Sequence, residues 1–512
     1  MTLRAEIRLD VFSHNVKISR FGGRGYRALQ DFCNRLIQYG VTKKRGRFVR
    51  QIARIYATAT QDRSEYRFHI NHLEELITHL KQWGYLDGQI EIIKHNIPPS
   101  KDVALKVHPS LSERDYQVNI IDYFVSAGST KMTDLQTGKG KSFCCMKAVE
   151  RIGKRAVLVI KGMYVEKWLI DLNKTYVLND GDLMVVRGSR DLRALIDLAI
   201  EGTLRAKFII VTSRTIYSYL KLYEAEKKGI LDQGYGCVPE DLYDVLGAGV
   251  RIMDEVHQEF HGNFKQDLYT NIEKTISLSA TLKSDDKFVT KMYEVMFPID
   301  QRFNDVEYDK YIGVKAFYYR FDDPSRVRWI GKQGSYSQVM FEQSILMTRN
   351  KRIKIAYFEM ITDMVENAFI DNYEKGQKLL IFAGSVNMCT ELSNHLQKVF
   401  SDKKVSRYIS DDDYSNLIDS DIMVSTIKSA GTAVDIPNLT AIIMTDGLSS
   451  IQANEQAKGR LRKIKDWPEL TPVFFYLVCR DINQHITYHE KKKEDFHGRV
   501  LYHKEIDTNY IL

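Results

Sequence analysis

Eight short apolar runs, in two series of four, constrain this chain more than any other feature in it. The first series is "AVLVIKG" (Ala156 to Gly162), "KFIIVTS" (Lys207 to Ser213), "GVRIMDE" (Gly249 to Glu255) and "TISLSAT" (Thr275 to Thr281). The second is "KLLIFAGS" (Lys378 to Ser385), "DIMVSTI" (Asp421 to Ile427), "TAIIMTDG" (Thr440 to Gly447) and "VFFYLVC" (Val473 to Cys479). Continuous β-branched runs of this length suit strands covered on both faces, and here they alternate with longer helical stretches. Two α/β domains, each built on a parallel sheet, are therefore expected. The length of 512 residues agrees, being too great for a single core.

Ahead of these domains, residues 1 to 96 read as a small α+β module. Leu29, Phe32, Leu36 and Tyr39 before Gly40 repeat at helical spacing, as do Leu73, Leu76, Leu80 and Trp83 before Gly84. Asn71 followed by Glu74 reads as a cap for the second helix. "IPPS" (Ile97 to Ser100) breaks any regular element and marks a boundary. The expected division is 1–96, a first α/β domain 97–298, an irregular connecting segment or insertion 299–345, and a second α/β domain 346–512 with a C-terminal tail. "FGGRGY" (Phe21 to Tyr26) reads as a flexible turn and "HEKKKEDFH" (His489 to His497) as a solvated helix face.

Charge is distributed unevenly. Residues 1 to 60 hold thirteen Lys and Arg against three Asp and Glu, or +10, so with a whole-chain net charge of +8 the remainder carries −2. A basic module on a near-neutral body suits a polyanion partner. No apolar run approaches the ~18 residues of a membrane span, and "MTLRAEIRLD" does not read as a signal peptide. The six cysteines show no C-x-x-C spacing, which disfavours zinc or a disulfide framework and makes a reducing cytoplasm the expected location.

Chemistry concentrates in two places. "LQTGKGKS" (Leu135 to Ser142) matches a phosphate-binding loop at Gly140, Lys141 and Ser142, with Leu135 where the strict pattern has its first glycine. In such loops backbone N–H groups cradle phosphates, the lysine reaches them and the hydroxyl serves Mg²⁺. "IMDEVH" (Ile252 to His257) ends an apolar strand in Asp254 and Glu255, where an open α/β sheet places its ligand. Together they point to hydrolysis of Mg²⁺·ATP, Asp254 holding the metal through water and Glu255 orienting and deprotonating the attacking water.

The motifs and their order resemble superfamily two helicases. "IMDEVH" resembles the DExH box, "SLSATL" (Ser277 to Leu282) motif III, "STIKSAGTAVDIP" (Ser425 to Pro437) motif V and "EQAKGRLRK" (Glu455 to Lys463) the arginine-finger motif VI, while "RDYQ" (Arg114 to Gln117) is similar to a Q motif. The resemblance implies two tandem RecA-like motor domains, ATP and Mg²⁺ as cofactors, and a chain that works as a monomer. It implies that Gln117 reads the adenine edge and that Gln136, Thr137, Gly138, Lys139, Gly140, Lys141 and Ser142 hold the nucleotide. His257, Ser279 and Thr281 would couple it to the nucleic-acid track. Gly431, Asp435, Gln456 and Arg460 would approach it from the second domain, Arg460 stabilising transition-state charge. Motif VI departs from the family in ending on Lys463, with Arg462 one residue early, so which side chain completes the finger stays open. Motif Ia departs too, with Lys161-Gly162 in place of Pro-Thr.

Lys161, Thr212, Arg214 and Thr215 in the first domain, with Ser385, Thr426 and Lys428 in the second, fall where the family contacts nucleic acid. The layout is most similar to phage UvsW-type recombination helicases, which implies branch migration, fork remodelling and strand unwinding or annealing of DNA in recombination and repair. An RNA helicase, and a nucleotide-gated binding protein without productive hydrolysis, are the alternatives.

Overall fold

The computed structural model describes residues 5–512 except 45–46, 137, 227–233, 280–281, 283, 285, 304–307, 332–333, 410–411 and 431–435. The chain groups into two units, Met1–Leu135 with Lys139–Val306, and Gln136–Gly138 with Glu307–Leu512.

The first unit opens with a small sheet of five strands, β1 (Ile7–Val11), β2 (Asn15–Arg20), β5 (Thr58–Ala59), β6 (Tyr66–His69) and β7 (Ile90–Lys94), in the order β5-β6-β2-β1-β7. Between β2 and β5 lie the helix Gly23–Arg35 and a separate antiparallel ribbon, β3 (Ile37–Lys44) with β4 (Arg47–Ile55). The helix thus ends at Arg35 rather than running to Gly40. Tyr39 sits on β3, 45% exposed, because the β-branched residues from Ile37 onward pair with β4. The second stripe does form a helix, Leu73–Gln82, closed by Gly84 at φ 85°. Its lead-in is a 3₁₀ turn over Ile70–His72, and Asn71 donates its side-chain amide to the Val295 carbonyl at 2.8 Å instead of capping it. "FGGRGY" is not a free turn: it opens the helix Gly23–Arg35, with Gly25 so close to Phe21 and the Tyr85 hydroxyl that a Cβ would stand 2.8 and 2.9 Å from them.

The rest of the first unit is a seven-stranded sheet in which every pairing is parallel. Its strands are β9 (Thr130–Asp134), β10 (Ala156–Ile160), β12 (Leu183–Val186), β13 (Phe208–Thr212), β14 (Val250–Met253), β15 (Lys274–Ser279) and β16 (Arg302–Phe303). They lie in the order β12-β13-β10-β14-β15-β9-β16. A two-stranded pair, β8 (Lys106–Val107) with β11 (Tyr176–Val177), stands apart. The small N-terminal sheet shares one hydrophobic core with this domain, from Ile7 and Phe68 through Phe260 and Phe264 to Phe297.

Charged and polar groups seal that junction. Arg251, fully buried, donates to Asp267, to Thr270 Oγ1 at 2.9 Å and to Thr275 Oγ1 at 3.2 Å. Asp267 also meets His69 Nε2 at 3.2 Å, and Asn15 Nδ2 donates to the Asp267 and Thr270 carbonyls. The Arg251 guanidinium and the His69 hydrogen bond outweigh burial and hold the Asp267 carboxyl well below the usual range.

The second unit carries its own all-parallel seven-stranded sheet. Its strands are β17 (Gly313–Arg320), β18 (Lys378–Phe382), β19 (Val405–Tyr408), β20 (Ile422–Ser425), β21 (Leu439–Met444), β22 (Val473–Cys479) and β23 (Tyr502–Ile511), in the order β19-β20-β18-β21-β22-β17-β23. The two sheets make the fold α/β, with tandem RecA-like parallel-sheet domains after a small α+β region.

Two expectations need correction here. The segment 299–345 is not simply irregular: Gly313–Arg320 is an inner strand between β22 and β23. Nor is the C-terminal stretch a loose tail, since Tyr502–Ile511 forms the sheet edge, its Tyr502 ring lying where any side chain at Gly313 would stand. The helix Asn483–Phe496 is solvated on one face only. His489 is buried beside the Tyr318 and Tyr476 hydroxyls at 2.8 Å each, and buried Lys492 donates to the Leu448 carbonyl at 2.8 Å.

Candidate active site

The phosphate-loop candidate follows β9. Leu135 turns its side chain into the core, 3% exposed, while its carbonyl accepts from Lys141 Nζ at 2.9 Å. The position asks for a carbonyl and an apolar filler, and leucine supplies both. Gly140 at φ 78° leads into the helix Lys141–Ile152, whose first-turn N–H groups favour an anion. A Cβ at Gly140 would stand 2.5 Å from Gln117 Nε2, so both its dihedral and its surroundings require glycine. Gln117 spends its side chain locally: Oε1 accepts from the Arg114 N–H at 3.0 Å, and Nε2 donates to the Lys139 carbonyl at 3.2 Å. The Tyr116 hydroxyl donates to that carbonyl too, at 3.2 Å. Gln117 therefore braces the loop from the helix Asp115–Val125. Ser142 is half-buried on the first turn. Gln136 and Gly138 group with the second unit; there the Gln136 amide exchanges two 3.0 Å hydrogen bonds with the Asp309 backbone, and Gly138 adopts φ 91°. Thr137 lies outside the described residues.

The acid pair sits at the carboxyl end of β14, an inner strand of the same sheet. Asp254 Oδ2 accepts from the Trp168 indole at 2.8 Å and Oδ1 from the Glu255 N–H at 2.9 Å. Glu255 takes φ 48°, a left-handed conformation that costs a non-glycine residue on the order of 1 kcal/mol and turns the chain sharply after the strand. Burial, then the neighbouring Glu255 charge, raises the Asp254 pKa against the Trp168 bond and the Lys141 ammonium. Glu255 Oε2 is buried without a hydrogen bond, 3.4 Å from His257 Nδ1. An uncompensated carboxylate oxygen beside a half-buried aspartate is a donor set suited to a hydrated divalent cation. Among the described residues no group of three or more His, Cys, Asp or Glu is placed to hold a metal by itself, so any cation here would take further ligands from water and phosphate.

His257 Nδ1 lies 2.8 Å from Ser279 Oγ at the end of β15, joining the acid turn to the next strand. Burial, reinforced by Lys141, pulls the His257 pKa down to about 4, so its ring is neutral near pH 7. Thr281 lies outside the described residues. Of the first-unit residues expected to meet nucleic acid, Thr212 and Thr215 are buried and bonded to each other at 2.7 Å, with Thr215 also accepting from the Gly188 N–H. Their hydroxyls knit a strand end to a neighbouring loop. Arg214 is exposed beside them, and Lys161 leads the 3₁₀ turn after β10.

In the second unit Ser385 caps the helix Val386–Val399 and donates to the buried Glu342. Thr426 Oγ1 accepts from the Ser429 N–H, and Lys428 stands exposed on that turn. Gln456 lies on the helix Ile451–Lys458 and Arg460 two residues beyond it. Lys463 pairs with Asp309 at 3.0 Å, whereas Arg462 donates to the Gly459 carbonyl. Gly431 and Asp435 lie outside the described residues. Sequence reading missed Trp168 and Tyr116. Trp168 sits on the buried face of an amphipathic helix, where it is indistinguishable from core; Tyr116 stands next to Gln117 and was within reach of the same motif.

No family model matches the chain. A 107-residue stretch is 32% identical to the transcript termination protein A18 of Fowlpox virus (strain NVSL), covering 20% of this chain and 23% of that protein. Among solved structures, Mss116p bound to ssRNA and AMP-PNP is similar over 75% of this chain and 72% of its own, at 14% identity and a TM-score of 0.48. S. cerevisiae Dbp5 bound to RNA and ADP BeF3 is similar over 77% of this chain and 90% of its own, at 12% identity and a TM-score of 0.48. The Pyrococcus furiosus Hef helicase domain covers 74% and 98%, at 13% identity and 0.44.

Proposed function

We propose that this chain is an ATP-driven helicase or translocase of superfamily two, working on nucleic acid with branched DNA as its preferred track. One observation carries the reading: a single parallel sheet presents both a glycine loop in left-handed conformation that opens a helix and a half-buried acid pair at the end of an inner strand. Lys141 and Ser142 then serve the phosphates, and Asp254 with Ser142 would hold a Mg²⁺, which would supply neutralisation of developing charge. Glu255 orients the attacking water and takes its proton. The hydrogen bond from Lys141 to the Leu135 carbonyl supports this reading, in which a phosphate takes over from that partner. The reading assigns Gln456 and Arg460 to the γ-phosphate and its transition-state charge.

The test is steady-state ATP hydrolysis by wild type and Glu255→Gln, alone and with single-stranded DNA, branched DNA and RNA at one salt concentration. We expect stimulation greatest with branched DNA and a loss of ~100-fold or more in the variant. The stretch similar to a transcript termination protein gives the RNA arm its purpose: stimulation by RNA alone would move the substrate to RNA. No hydrolysis under any condition would leave a nucleotide-gated binding protein.

A further inference from the structure

The β3–β4 ribbon stands apart from every other strand of the first unit. All nine residues of β4 are exposed, on both faces, and the pair belongs to neither larger sheet. Cross-strand register places Tyr39 opposite Ile52, Val41 opposite Arg50 and Lys43 opposite Phe48. One face thus presents Tyr39, Val41, Phe48, Arg50 and Ile52 together, with Val41 68% and Phe48 70% exposed and the Arg50 guanidinium 3.9 Å above the Tyr39 ring. A long, exposed ribbon bearing large apolar groups invites aggregation unless charge or a partner guards it. Here the charge is of one sign: from Phe32 to Gln61 the sequence holds seven Lys and Arg and no Asp or Glu. Such a surface repels proteins of like charge and suits a polyanion with flat apolar groups.

The ribbon's root, by contrast, is fixed. Tyr56 directly after β4 packs against Phe264 at 5.0 Å and Phe260 at 6.0 Å, and His261 Nε2 lies 3.1 Å from the Ile55 carbonyl. These three belong to the helix Phe260–Asp267, which begins three residues after His257 of the acid turn. On the other strand, Gln38 donates to Asp286, the cap of the helix Lys287–Met296.

We propose that this ribbon is a nucleic-acid-gripping arm, its arginines on phosphates and its Phe48–Tyr39 face against unpaired bases, mounted on the helix that follows the acid turn. The inference rests on the reading of the chain as a nucleic-acid motor and assigns to it a contact surface outside the helicase motifs. Arg50 between aromatic side chains on one face, with Arg47 on the other, is a combination that suits single strands, cations following the backbone and rings stacking on bases.

The experiment is fluorescence anisotropy of labelled single-stranded DNA, single-stranded RNA and duplex DNA with the full chain, as wild type, Phe48→Ala and Arg47→Ala/Arg50→Ala, across a salt series. Thermal melting confirms that each variant is folded. We expect Phe48→Ala to weaken single-strand binding roughly tenfold with an unchanged salt slope, and duplex binding far less. The double variant should weaken all three ligands and lower the salt slope by roughly 1.5. Comparison of the two single-strand arms tells DNA from RNA. Wild-type binding retained in both variants overturns the inference while leaving the motor reading intact, and points to a protein partner for the ribbon. Failure of wild type to bind any of the three overturns the motor reading instead.

Discussion

At the scale of single residues, Asp254 shows how the site is held ready. Its two oxygens each accept one hydrogen bond, from an indole and from the next residue's N–H, and each bond favours the charged form against burial. Trp168→Phe removes one of them while keeping most of the ring volume. A hydrogen bond to a charged group is worth about 1.5–3 kcal/mol, so we expect kcat for ATP hydrolysis to fall about tenfold or more with little change in melting temperature. Unchanged turnover would show that the Glu255 N–H alone positions the carboxylate. Placement was legible in sequence where chemistry dictates residue type: Lys141 opens a helix after one strand, and Asp254 and Glu255 directly follow another. Gln117 was singled out for the adenine, yet in the fold its amide is spent on the Arg114 N–H and the Lys139 carbonyl, a use no spacing rule reveals.

Elements tell a different story, and the turn between β1 and β2 is where it bears on stability. His14 in that turn is fully buried near Arg251, Asp267 and His69, with Nδ1 2.8 Å from Ser13 Oγ. Burial first, then Arg251, lowers its pKa to about 3. The unfolded chain therefore binds a proton that the folded one refuses between about pH 6.5 and 3, and folded stability falls as pH drops through that window. At pH 5 the single group costs about 2 kcal/mol. His14→Asn should flatten the fall of melting temperature between pH 7 and 5, and superimposable curves would refute this. Strands were readable to the degree that they are covered. The eight continuous apolar runs all became inner strands, whereas β17 escaped notice because its partner β23 is half-exposed and its own residues alternate with Lys315 and Phe317. The helical stripe ending at Tyr39 misled for the opposite reason: hairpin pairing with β4, a contact ten or more residues away in sequence, overrode a local period.

Over the whole molecule, the basic N-terminal region looked separable in sequence because its charge differs so sharply from the remainder. Its core is not separable. The strands of the small sheet and the helix Phe260–Asp267 bury the same apolar groups, and Asp267 loses His69 and Asn15 if it is removed. Truncation at Ile97 should therefore lower the melting temperature of the remaining chain steeply and cause aggregation, beyond any loss of nucleic-acid affinity. A truncated chain that melts as wild type does would show that the two cores are independent. The mounting of the ribbon has a mechanical side as well. Nine residues of strand at ~3.3 Å each make an arm of about 30 Å rooted at Tyr56. With leverage of that length, a tilt of about 5° in the helix beneath Tyr56 would become about 2.6 Å at the far end, of the order of the spacing between stacked bases.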